Sequence, residues 1–288
     1  MKFRDEPQIS VPRISCRKYG VRKFGARPGI SVFSWIDEMT DPFLKWLNAL
    51  EQRHLTALNF QEVRRAVQAL SALYVERRNR IEQGSALDGS GKRAAFATYF
   101  APLHFLLVRE IVRALGAGNT SKSEIIDLGC GTGIAGIAWA LEMNPPPRIT
   151  AIDRNPWAIR EAKWTCGAFD LRAAVRSEDL GRFKIERSSA VIAAFTVNEL
   201  SEDARGRMLR EMVSVGRHGS PVLVIEPIAR RATSWWPEWA REWTALGGRE
   251  DEWRFPVELP DSLALMDKAA GLDHRVLTGR TLWMSGRQ

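Results

Sequence analysis

From Glu124 onward the chain alternates short apolar runs with stretches of helical period. "IIDL", "RITAID", "LRAAV", "AVIAAF" and "PVLVIEP" read as strands, being too short for helices and bounded by polar or turn-forming residues. Between them, residues 134–143, "NPWAIREAKWTCGAF" and "SEDARGRMLREMVSVG" space their apolar positions as helices do. Pro156 starts one of these helices, while Ser201 caps another and Gly216 stops it. Such alternation predicts an α/β, doubly wound, mostly parallel sheet with helices on both faces. "DHRVLTGRTLWMS" reads as two further strands joined across Thr278-Gly279, an antiparallel C-terminal hairpin.

The first part of the chain is patterned differently. Residues 1–34 have no helical period and read as an irregular arm. In "TDPFLKWLNAL", Asp41 is placed to cap a helix that Pro42 begins, with Phe43, Leu47 and Leu50 on one face. "QEVRRAVQALSALYVERRNRI" repeats Val63, Val67, Leu70 and Tyr74 at helical spacing, with arginines opposite. "GSALDGSGKR", residues 84–93, reads as a Gly/Ser-rich linker. A helix from about Pro102 to Leu115 follows, with Phe105, Val108 and Val112 on its apolar stripe and Gly116 as its C-cap. The division expected is an arm over 1–34, a helical N-terminal domain over 35–93 and an α/β domain over 94–288.

Composition narrows the class. Hydrophobic residues make up 45% and charged residues 26% of the 288 positions, enough to build a full core. No run reaches the roughly 18 apolar residues of a membrane span. The opening "MKFRDEPQIS" is too polar for a signal peptide, so a cytoplasmic protein without a membrane partner is expected. Cys16, Cys130 and Cys166 are scattered, and the four histidines show no ligand spacing, so no metal site is predicted. The formal net charge is +8. Residues 1–34 hold eight Lys/Arg against Asp5 and Glu6, a surplus of +6. A basic arm beside a near-neutral body is the footprint of a nucleic-acid binder; a solvated tail has the same composition.

The chemistry is concentrated in "EIIDLGCGTGIAGIAWA". Glycines here expose main chain to a ligand where a helix begins. Gly131-x-Gly133-x-x-Gly136 matches the dinucleotide fingerprint, with Asp153 downstream. In that frame, however, the first glycine does not follow the strand directly. The frame Asp127-x-Gly129-x-Gly131-x-Gly133 puts an acid at the strand end and the glycines in the turn. It resembles the first motif of the class I S-adenosylmethionine-dependent methyltransferases, a likeness that covers about residues 95–285. The resemblance implies a seven-stranded Rossmann-like sheet and S-adenosyl-L-methionine as cofactor. It also implies that Gly129, Gly131 and Gly133 line the methionine and ribose portion, and that Asp127 orients the amino group. Asp153 would hold the ribose hydroxyls, with Asn155 beside the adenine. Asp179, or its rival Glu178, would meet the adenine amino group. Each acid could instead cap a helix or sit in solvent.

The fourth strand ends in "AAFTVNEL", which places Phe195, Thr196, Asn198 and Glu199 toward the methyl group, since ligands of such sheets bind at the carboxyl ends of strands. Asn198 and Glu199 are the acceptor-side candidates. The Asn/Asp-Pro-Pro-aromatic motif of amino-group methylation is absent. No cysteine lies on this strand, and Cys130 reads as a small loop filler. "LSALYVERR", "KRAAFATYFAPLHFLLVREIV", "AAFTVNELSEDARGRML" and "VLVIEP" resemble the methyltransferase-like family of the small ribosomal subunit, whose mitochondrial members assist ribosome assembly. That likeness implies ribosomal RNA or a small-subunit particle as the partner. The family's "EPG" turn is "EPI" here, at Glu226-Pro227-Ile228, and its cluster-binding cysteines are missing, so no iron–sulfur cluster is expected. Two other readings stay open: an assembly factor that binds the cofactor and RNA without essential catalysis, and a small-molecule methyltransferase. In "SWWPEWAREWTALGGREDEW", Trp235, Trp239 and Trp243 form a helical stripe, which reads as core, against the alternative of base stacking.

Overall fold

The computed structural model describes residues 41–76, 87–229 and 233–286. The basic arm of 1–34, the arginines at 77, 78 and 80, and residues 84–86 of the predicted linker lie outside these.

Helix α1, Pro42–His54, is opened as its sequence predicts: Asp41 Oδ1 accepts from Phe43 N–H at 2.9 Å. Helix α2, Phe60–Glu76, starts in a reciprocal cap, with Asn59 N–H on Glu62 Oε2 at 2.8 Å and Glu62 N–H on Asn59 Oδ1 at 3.0 Å, which satisfies donors that a helix start otherwise leaves unpaired. Helix α3, Ser90–Ala95, begins inside the stretch expected as linker. It runs through a π-helical turn, Phe96–Phe100, into α4, Ala101–Leu115. Gly116, at φ 65°, ends it. By length and composition the segment Ser90–Leu115 could cross a bilayer, yet 83% of its apolar window is buried inside the protein. Its aromatic face explains that burial. Phe105 stacks on Phe43 and Phe169, with Trp46 tilted against both Phe105 and Phe169. Phe43, Trp46, Val63, Val67 and Leu70 therefore share one continuous core with the sheet residues Ile125, Ile149 and Ile192. Truncating any of these large aromatics removes about 3–5 kcal/mol of packing.

The described residues build a seven-stranded sheet in the order β3-β2-β1-β4-β5-β7-β6. The strands are β1 Glu124–Leu128, β2 Arg148–Asp153, β3 Ala173–Ser177, β4 Ala190–Ala194, β5 Val222–Glu226, β6 Arg249–Pro256 and β7 Val276–Met284. Strands β1 to β5 pair in parallel; β7 runs antiparallel to both β5 and β6. Helices α5 Ile134–Ala140, α6 Pro156–Ala168, α7 Glu202–Arg217, α8 Trp236–Ala245 and α9 Asp261–Ala270 connect them. Strand order reverses between β1 and β4, which makes the carboxyl end of that pair the place where a ligand fits.

The C-terminal antiparallel pair is present, but its turn is not at Thr278-Gly279. Strand β7 runs unbroken through both residues, and its partner is β6, which α9 separates from it in sequence. The glycine is there for proximity. A Cβ on Gly279 would stand 3.3 Å from Leu107 Cδ2 of α4, so the missing side chain lets α4 lie close on the strand. The tryptophan stripe packs inward. Trp235, Trp236, Trp239 and Trp243 are all buried, and Trp239 stacks on Trp243 at 5.8 Å.

Candidate active site

The glycine turn starts directly after β1. Gly129 and Cys130 N–H both donate to Ile152 O, at 2.8 and 2.9 Å, which ties the turn to the end of β2. Gly129 has φ 68°, and a Cβ there would stand 2.2 Å from Thr196 Cγ2. Only glycine satisfies both the positive φ and the contact. Gly131 N–H donates to Asp153 Oδ2 at 2.9 Å, and Asn155 N–H to Asp153 Oδ1 at 2.8 Å. Asp153 is thus fixed at the tip of β2 by two main-chain donors, with lone pairs left on both oxygens. This geometry bears out the frame that begins at Asp127. Gly136, the last glycine of the dinucleotide frame, lies inside α5.

A cavity of about 590 Å³ opens at this switch point. On one side it is lined by Gly129, Gly131, Asp153, Asn155, Glu178 and Asp179, and on the other by Phe195, Thr196, Asn198 and Glu199. The structure therefore brings together most of the residues singled out from sequence. Two of them do not reach the cavity. Gly133, φ 83°, sits under α6, where a Cβ would approach Ala162 Cβ to 3.3 Å. Asp127 is 1% exposed and lies beneath the turn, its Oδ2 accepting from Gly136 N–H at 2.8 Å. It holds the start of α5 to β1 rather than facing a ligand. Burial pushes its carboxyl up to about 7, with the Gly136 N–H pulling it back and the charge of Asp153 pushing it further up.

Asn155 lines the cavity but spends its Oδ1 on Trp157 and Ala158 N–H as the N-cap of α6. Asp179 Oδ1 accepts from Gly181 N–H at 2.9 Å, which shapes the turn after β3, and Oδ2 lies 4.0 Å from Arg182 Nε. Cys130 is buried, and burial, with the charges of Asp127 and Asp153 behind it, drives its thiol well above the ordinary range. It is a filler, as its position in the turn predicts.

The other side of the cavity departs more from the sequence reading. Phe195 holds φ 59°, a conformation that a bulky non-glycine residue adopts at a cost of about 1–3 kcal/mol and that gathers at functional sites. Its ring stacks on His104 at 4.0 Å. Thr196 Oγ1 donates to Gly129 O at 3.1 Å, which joins the two walls. Asn198 is gripped on both ends: its Nδ2 donates to Glu226 Oε2 at 2.7 Å, and its Oδ1 accepts from Trp235 Nε1 at 2.8 Å. Glu226, fully buried at the end of β5, also accepts from Val197 N–H at 3.0 Å. A carboxylate buried this deep fixes the β4 exit loop, and Asn198 is a positioning group before it is anything else. Sequence reasoning missed Phe96, Phe100, Leu103 and His104, which wall the cavity from the π turn and α4. A π turn inside a helix is frequently a mark of a site, but its register is not written in periodicity. It also missed His274, just before β7, and Leu277, within it, which line the cavity.

The glycine turn, the ordered Asp153 and the cavity at the switch point fit a nucleoside-bearing cofactor. Residues 125–219 match a family model described as a methyltransferase domain. A curated relative, ribosomal RNA large subunit methyltransferase G of Pseudomonas paraeruginosa, is 38% identical over 69 residues; these are 23% of this chain and 17% of the relative. The chain thus spans about a sixth of that relative's length. Among solved structures, the chain is similar to a SAM-dependent methyltransferase from Aquifex aeolicus, at 15% identity, TM-score 0.43, and 64% and 93% of the two chains. It is also similar to the magnesium protoporphyrin IX methyltransferase of Synechocystis with bound SAM, at 13% identity, TM-score 0.42, and 79% and 97% of the two chains. Over residues 125–219, then, the chain is similar to methyltransferase domains.

Proposed function

We propose that this chain transfers a methyl group from S-adenosyl-L-methionine to ribosomal RNA, free or within a small-subunit particle. The observation that carries the transfer is the contact of Gly129 with Thr196. It sets the cofactor turn directly against the β4 exit, so that a donor on one wall faces an acceptor on the other. When bound, the cofactor supplies a methyl group already activated on a sulfonium. The residues then have to orient and to exclude water. In this reading Asp153 would hold the ribose hydroxyls, and Asp179, or its rival Glu178, would meet the adenine amino group; the place of all three on the cavity wall supports it. Phe195, locked by its stack on His104, presses on the reacting centre, while Glu226 and Trp235 keep the Asn198–Glu199 turn in place.

The RNA acceptor is supported by the +6 surplus in residues 1–34 out of a net +8 and by the name of the curated relative. The test is incubation of the full chain with methyl-tritiated S-adenosylmethionine and, separately, small-subunit RNA, small-subunit particles, large-subunit RNA and transfer RNA. Label in one ribosomal RNA, with an affinity and a salt slope that fall when residues 1–34 are removed, supports the reading. Cofactor binding without label in any RNA refutes the acceptor. Ribosome-assembly function that survives loss of cofactor binding would favour the assembly-factor reading instead.

A further inference from the structure

Three residues from remote parts of the chain meet at the rim of this cavity, and none belongs to the cofactor motif. Tyr99 comes from the π turn, Asp267 from α9 and His274 from the approach to β7. The Tyr99 hydroxyl donates to Asp267 Oδ1 and lies 3.0 Å from His274 Nδ1. His274 Nδ1 is 2.6 Å from the same carboxylate oxygen, and His274 N–H donates to Asp267 Oδ2 at 3.1 Å. Tyr99 and Asp267 are buried, whereas the His274 side chain is 33% exposed and lines the cavity. An ionised carboxylate only accepts, so the proton between Asp267 and the imidazole sits on Nδ1. Tyr99 stays a donor, because burial first, then the bond to Asp267, pushes its hydroxyl far above its ordinary value. In the neutral ring the lone pair is then on Nε2, the nitrogen not spent on Asp267. A buried acid that fixes the tautomer and steadies the imidazolium is how a histidine is turned into a general base.

We infer that His274 is the general base of the methyl transfer, with Asp267 and Tyr99 as its positioning residues, and that the acceptor atom is a hydroxyl or N–H that must lose a proton. The inference rests on the methyl-transfer reading above. The step balances. The acceptor's lone pair forms the new bond to the methyl carbon as the sulfur–methyl bond breaks and its electron pair returns to sulfur. The acceptor's proton goes to Nε2 and from there to water. An aromatic nitrogen that attacks through a free lone pair needs no such base, so the class of acceptor follows from the site.

The charges around the imidazole are Asp267 on α9, Tyr99 on the π turn, and Asp273 and Arg275 beside it in sequence. Asp273 and Arg275 are paired with each other at 2.5 Å. Across the cavity lie His104, Glu199 and Glu226. The base is read in two ways. In the full-length protein without cofactor, long-range nitrogen–proton imidazole spectra are expected to show His274 protonated on Nδ1, and Asp267→Asn to change that. An Nε2–H ring in the wild type overturns the assignment. Methyl transfer is then followed against pH for wild type, His274→Gln and Tyr99→Phe, with ribosomal RNA and with catechol as a probe hydroxyl. The expectation is a rising limb in wild-type kcat/KM that vanishes in His274→Gln, with a loss of about 100-fold and unchanged affinity for S-adenosylmethionine by calorimetry. Tyr99→Phe keeps the limb at reduced rate. A His274→Gln enzyme that keeps rate and limb overturns the inference alone. Cofactor binding with no transfer to either acceptor overturns it together with the proposed function.

Discussion

The two walls of the cavity are built on opposite principles. The cofactor wall is made by consecutive residues and works through the main chain. Gly129, Cys130 and Gly131 N–H are all spent within the β1–β2 layer, and the side chains it needs are absent or acidic. The acceptor wall is made by side chains drawn from five separate places: the π turn, α4, the β4 exit, the end of β5 and the approach to β7. Its polar groups are held by other side chains, Asn198 by Glu226 and Trp235, His274 by Asp267 and Tyr99. A main-chain site tolerates drift in its surroundings. A site held by side chains fails when any one support is lost, and it can be rebuilt for a new acceptor without disturbing the cofactor.

The sharpest way to break this contrast is to put a side chain where the main chain is needed. Gly129→Ala places a Cβ 2.2 Å from Thr196 Cγ2 at φ 68°, which combines left-handed strain with overpacking, together roughly 2–5 kcal/mol. Binding of S-adenosylmethionine by calorimetry is expected to fall at least about 100-fold. Adding Thr196→Ala is expected to restore part of it, because the clash is shared between the two walls. A Gly129→Ala protein that binds normally would show that the turn does not need its observed geometry.

Next in size is Asp153→Ala. It removes the acceptor of both Gly131 and Asn155 N–H as well as the proposed ribose contact. Each charge-assisted bond is worth about 1.5–3 kcal/mol, so a 10- to 100-fold loss of cofactor affinity is expected. On the other wall, Glu226→Gln should leave cofactor affinity within about threefold and lower kcat by about 10- to 100-fold, because it loosens the support of Asn198. Equal effects of the two substitutions on binding would erase the division between walls.

The same division sets what could be read from sequence. Strand β1, the turn and the tip of β2 carry their signal locally, as an apolar run, glycines and an acid at fixed offsets. That is why Gly129, Gly131 and Asp153 could be singled out together, and the structure sets all three at one cavity, where Asp179 and its rival Glu178 both stand. The acceptor wall has no local signal. His104 sits in an apolar helix with nothing beside it to mark it, and it becomes a wall only because Phe195 turns back at φ 59°. Asp267 and His274 are seven residues apart, but Tyr99 joins them from 168 positions away from Asp267. The Thr278-Gly279 pair misled for a physical reason. A glycine at a close contact between α4 and β7 looks, in sequence, the same as a glycine in a turn.

Asp127 tests the contrast most finely, because its type is legible and its direction is not. The acid ends β1 as the motif requires, yet its carboxylate is sealed under the turn against Gly136 N–H. In the unfolded chain it ionises near its ordinary value of 3.8, and in the folded protein at about 7. Between those values the unfolded chain has released a proton that the folded one still holds. The contribution to stability is therefore fully present below about pH 4 and is lost as pH rises through 7. Asp127→Asn keeps an oxygen for Gly136 and cannot ionise. Its melting temperature should match wild type near pH 4 and exceed it by roughly 2–5 °C at pH 8, while cofactor affinity changes less than in Asp153→Ala. A gap that does not widen with pH would mean that Asp127 ionises freely in the fold. A loss of affinity as large as that of Asp153→Ala would put its charge on the ligand after all.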